Sequence, residues 1–115
     1  MTEADLVSAL NPLVSGRVYP DAADFSTPLP YITWQQVGGK VVNYLGGGVT
    51  DKKGARIQIN VWAKTRLEAQ TLIRQIHDIC VSDPFFAVAE GASISRYESA
   101  NLRGAQQDFS FWITQ

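Results

Sequence analysis

Hydrophobic and polar residues alternate most cleanly between Ala55 and Lys64. Ile57, Ile59, Val61 and Ala63 fall on one side of an extended chain, and Arg56, Gln58, Asn60 and Trp62 on the other. A period of two is the pattern of a strand with one buried face. Thr65-Arg66-Leu67-Glu68 then reads as a capping box, in which the Thr65 hydroxyl and the Glu68 carboxylate each satisfy an amide at a helix start. Ala69, Leu72, Ile73, Ile76, Ile79 and Cys80 continue as one helical stripe, which Asp83-Pro84 ends. The period changes from 2 to 3.6 within two residues, so the segment predicts a strand running straight into a helix that packs on its sheet.

The flanking segments are read the same way. Thr2 and Asp5 cap a first helix carrying Leu6, Leu10, Leu13 and Val14; Asn11-Pro12 stops or kinks it, and Gly16 offers a C-terminal cap. Three prolines and two aspartates between Pro20 and Pro30 predict a surface loop. Tyr31 to Val37 is a strand closing at Gly38-Gly39. Val41 to Leu45 is either its hairpin partner or part of one excursion from Gly38 to Gly54. After a loop around Phe85 to Gly91, strands are expected at Ser93 to Ser99 and Asp108 to Thr114, joined by a turn near Gly104. Phe109, Phe111 and Ile113 supply the apolar face of the last strand. The order predicts an α+β domain: a mainly antiparallel sheet of about four strands, with two helices packed on one face.

Composition adds the domain count and removes several partners. The chain of 115 residues, 45% hydrophobic and 18% charged, suits one domain spanning 1–115 with a real core. Ten basic and eleven acidic side chains without a long run of either sign argue against a nucleic-acid-binding stripe. The single cysteine, Cys80, excludes an internal disulfide and suits a reducing compartment. No apolar run approaches a membrane span, and Met-Thr-Glu-Ala-Asp lacks a signal peptide's basic start, so a soluble protein made in the cytoplasm is expected.

Catalytic parts are scarce. Gly46-Gly47-Gly48 and Gly38-Gly39-Lys40 are not followed by the Gly-Lys-Ser/Thr helix start of a phosphate loop. His77 is the only histidine and Cys80 the only cysteine, fewer than the three or four such ligands of a zinc site. No nucleophile elbow accompanies His77, and Glu68 is first a helix cap. No catalytic, metal or cofactor residue is expected. The tryptophans carry more information. Trp62 and Trp112 occupy the polar side of their strands, where such side chains are either folded under a loop or meet another subunit. Trp34 joins them if its strand is in register. These three are the candidate subunit interface.

Gly16-Arg17-Val18-Tyr19-Pro20, Leu29-Pro30-Tyr31-Ile32 and Ala55-Arg56-Ile57-Gln58-Ile59-Asn60-Val61-Trp62-Ala63, leading into a helix with Glu68-Ala69, resemble the small tail completion proteins of phages and prophages. These are similar to the tail terminators of long-tailed phages. The resemblance implies a virion structural protein, neither an enzyme nor cofactor-dependent, that forms a hexameric ring on the tail tube protein and joins it to the head through connector proteins. Gly46, Gly47, Gly48, Asp51, Lys52 and Lys53 then form a candidate assembly arm ordered against a neighbour, or else a hairpin with no partner. Two other readings stand beside this one: a monomeric adaptor or chaperone-like module for another tail component, and a small hydrolase built on His77.

Overall fold

The computed structural model describes residues 2–24, 26–39 and 52–114. Helix α1 (Glu3–Leu10) is followed by a 3-10 turn (Asn11–Leu13), strands β1 (Val18–Pro20), β2 (Tyr31–Gly38) and β3 (Lys52–Ala63), helix α2 (Arg66–Val81), and strands β4 (Val88–Ser99) and β5 (Leu102–Thr114). The five strands form one sheet in the order β1-β2-β3-β5-β4. Every pair is antiparallel except β1 with β2. The α+β expectation therefore holds, with a fifth strand and one parallel pair added.

The extra strand is β1. It spans three residues and ends in Pro20, which has no amide to donate, so it serves only as an edge. Arg17 secures it: its carbonyl accepts from the Ile32 amide at 2.9 Å, and its Nε donates to the Pro30 carbonyl at 2.9 Å. The loop expected after Pro20 follows directly.

Both helices cover one sheet face. Ile57, Ile59, Val61 and Ala63 of β3 are wholly buried against Leu6, Leu10, Ala69, Leu72, Ile73, Ile76 and Cys80. β5 adds Ala105, Phe109, Phe111 and Ile113 to the same layer. Burial of each large aliphatic side chain contributes about 2 kcal/mol from water exclusion, which is why the period-two pattern decides the register. Thr2 and Asp5 form the full capping box at α1. At α2 only half the expected box is made: Thr65 Oγ accepts from the Glu68 amide at 3.2 Å, and the Glu68 side chain does not return the bond.

The turn expected near Gly104 lies instead at Ala100 and Asn101, and Gly104 sits inside β5 opposite Trp62. A lone glycine reads as a chain reversal; here it leaves room for a cross-strand indole. β4 also starts earlier than expected, at Val88, so the loop after α2 is short. Between Glu90 and Ile94 the β4 register shifts, and Gln107 of β5 faces the irregularity. Gln107 is 5% exposed among apolar neighbours, and its Nε2 donates to the Gly91 carbonyl at 2.7 Å. The side chain thus satisfies the backbone that the bulge leaves unpaired.

Val41 to Leu45, and Gly46, Gly47, Gly48 and Asp51 of the candidate arm, lie outside the described residues. Lys52 and Lys53, the other two residues of that candidate arm, open β3 and pair with Thr114 and Ile113.

Candidate functional site

The sheet face turned away from the helices carries the candidate residues. Cross-strand register places Trp62, Asn60, Gln58 and Arg56 of β3 on this face, opposite Gly104, Gln106, Asp108 and Ser110 of β5. Its middle is polar and internally bonded. Arg56 Nε donates to Asp108 Oδ2 at 3.0 Å, Gln35 to Gln58 at 3.3 Å, and Ser110 Oγ to Glu90 at 2.7 Å. The two ends differ from the middle and from each other.

At one end Trp112 is 53% exposed. It borders a cleft of about 610 Å³ with Gly39, Gly54, Arg56, Phe86 and Val88 among its walls. Phe86 and Val88 are more exposed still. Phe86 has φ 47°, an unfavourable left-handed conformation for a bulky side chain. The turn after α2 accounts for it: the Phe85 and Phe86 amides both donate to the Ser82 carbonyl, and the Ala87 amide donates to the Cys80 carbonyl. This reversal sends Phe85 inward, edge-on to Phe111 at 6.3 Å, and Phe86 outward.

At the other end Trp62 is half-buried by its own chain. Its ring occupies the space over Gly104, and the Arg96 guanidinium lies 5.8 Å from the ring centroid. Arg96 also donates to Gln106 Oε1 at 2.7 Å. Trp62 and Arg96 line a second cleft of about 360 Å³ with Asp21, Tyr31, Thr33, Asn60 and Glu98. Burial, then the nearby Glu98 carboxylate, pushes the Tyr31 hydroxyl above its ordinary range.

The three tryptophans are not brought together. Trp34 pairs with Ile59, so it points to the helix face and packs against the core, not beside Trp62 and Trp112. Trp62 and Trp112 share a face but are separated by roughly 27 Å of strand at about 3.4 Å per residue. Sequence reasoning passed over Phe86, Val88, Asp21 and Arg96. Phe85-Phe86 read only as loop; no sequence pattern separates the member of that pair that turns inward from the one that turns outward.

His77 and Cys80 do not combine into a site. His77 is half-exposed, 6.1 Å from the Phe109 ring, and its polar side-chain contact is the adjacent Asp78 at 3.5 Å. Cys80 is fully buried, and that burial pushes its thiol up to about 12, so it stays protonated and unreactive at neutral pH. Among the described residues no three His, Cys, Asp or Glu side chains are grouped to hold a metal ion. No helix among them is long and apolar enough to cross a membrane.

A family model described as tail completion protein gp17 matches residues 5–114, nearly the whole chain. No curated protein matches it.

Proposed function

Because the chain belongs to the phage tail completion protein family, we propose that it assembles as a hexameric ring on the end of the tail tube and joins the finished tail to the head. In this reading it is a non-enzymatic component of the virion tail, in contact with copies of itself, with the tail tube protein and with the head-tail connector proteins.

The observation that carries the self-association is the apolar end of the outer face, which is exposed among the described residues. Trp112, Phe86 and Val88 stand exposed around one cleft on a sheet whose other face is closed by helices. Aromatic side chains grouped at a concave surface are typical of the buried centre of protein interfaces. Closed cyclic symmetry needs a head-to-tail contact, in which this patch meets a different surface of the next copy. Trp62 contributes less, because Gly104 and Arg96 already cover part of its ring, and Trp34 stabilises the fold.

Deleting the gene from its phage and imaging the particles tests the role. Detached heads with tails of uncontrolled length are expected. Normally joined particles would remove the proposal. Joined particles of irregular tail length would favour an adaptor for another tail component.

A further inference from the structure

We propose that the cleft beside Trp62 receives a cationic side chain, arginine or lysine, from a partner protein. The inference rests on the cleft's own chemistry and does not require the ring.

The cleft holds an acceptor that no described residue uses. Thr33 and Asn60 face each other across β2 and β3. Thr33 is only 6% exposed and lines the cleft. Asn60 Oδ1 is buried without a partner among the described residues. Leaving a buried acceptor unpaired is destabilising, and a bound donor removes that penalty.

The charge at the rim has the matching sign. Asp21 and Glu98 are acidic, and Arg96 is the single cation lining the cleft among the described residues. Arg96 is already engaged with Gln106 and the Trp62 ring, and it approaches Glu98 only to 4.0 Å. The Asp21 carboxylate makes no ion pair among the described residues. Its position is nonetheless fixed: Asp21 adopts φ 64°, and its amide donates to the Trp34 carbonyl at 2.7 Å. A non-glycine residue held in the left-handed region at a cleft rim is the kind of local strain that accompanies binding sites. Tyr31, directly opposite Trp62, supplies a second aromatic surface of the sort on which guanidinium groups stack.

Titrating the full-length protein with N-acetyl-arginine amide, followed by the NMR signals of the Trp62 indole and the Asn60 side-chain amide, tests the ligand chemistry. Saturable shifts are expected for the arginine probe and not for its neutral isostere, N-acetyl-citrulline amide. The double variant Asp21→Asn with Glu98→Gln, changed only at exposed rim positions, should bind roughly tenfold more weakly, the loss of about 1.4 kcal/mol. No saturation, equal binding of citrulline, or unchanged affinity of the double variant overturns the site. Complementing the deletion phage with the same variant tests the source of the cation. A titre below wild type is expected; a wild-type titre overturns the partner. A deletion without tail defects would end the assembly role while leaving the titration result standing.

Discussion

Trp62 and Gly104 face each other across β3 and β5 and share a single space: a Cβ at position 104 would lie 2.7 Å from indole carbons Cε3 and Cζ3. The indole therefore lies on its own sheet, held between a strand glycine and Arg96.

From this follows a coupling. Gly104→Ala should force the indole aside and destabilise the fold by about 1–3 kcal/mol, the usual cost of overpacking. In the Trp62→Ala background the same change should cost much less. A double-mutant cycle by urea unfolding measures the difference; additive effects would contradict the packing.

Trp112 should behave in the opposite manner. Being 53% exposed, it can become Asp with a change of about 0.5 kcal/mol or less, the ordinary range for surface substitutions. The variant should fold normally yet fail to support joined particles. Urea unfolding and plaque formation check the two halves separately.

Gln107→Leu keeps the volume but removes the bond to the Gly91 carbonyl. A loss of about 1–3 kcal/mol is expected for the stranded carbonyl, with faster amide exchange around the β4 bulge than in wild type. Unchanged exchange would mean that the bulge does not need this side chain.

Cys80 sets a pH dependence at the alkaline end. Its folded value, near 12, exceeds the ordinary value of 9.0, so between these the native state retains a proton that the unfolded chain gives up. Stability is full below pH 9 and falls above it, at up to about 1.4 kcal/mol per pH unit. Tyr31, raised from 10.0, adds to the fall above pH 10. Chemical denaturation at several pH values should show Cys80→Ala losing the slope between pH 9 and 10.

What was legible in the sequence was whatever local periodicity controls. Ile57, Ile59 and Val61 announce their buried face, and Thr65 announces a helix start, because strand pleat and capping act over a few residues. β1 was hidden because three residues carry no period; its existence depends on Arg17 reaching Pro30 and Ile32. Gly104 was misplaced because a glycine needed for packing and one needed for a turn look alike. Likewise Trp62 and Trp112 share a pattern position, and only tertiary contacts distinguish the covered indole from the exposed one. The cleft near Asp21 joins a loop, three central strands and an edge strand, so no stretch of sequence contains it.

The proposal that this family member closes the tail is tested most directly by averaged electron-microscopy density of purified tails with the protein labelled at its C-terminus. Label on a sixfold ring at the head-proximal end, with the Trp112 cleft at the contact between adjacent copies, is the predicted result. Purified tails that lack the protein, or carry a single copy of it, would contradict the account.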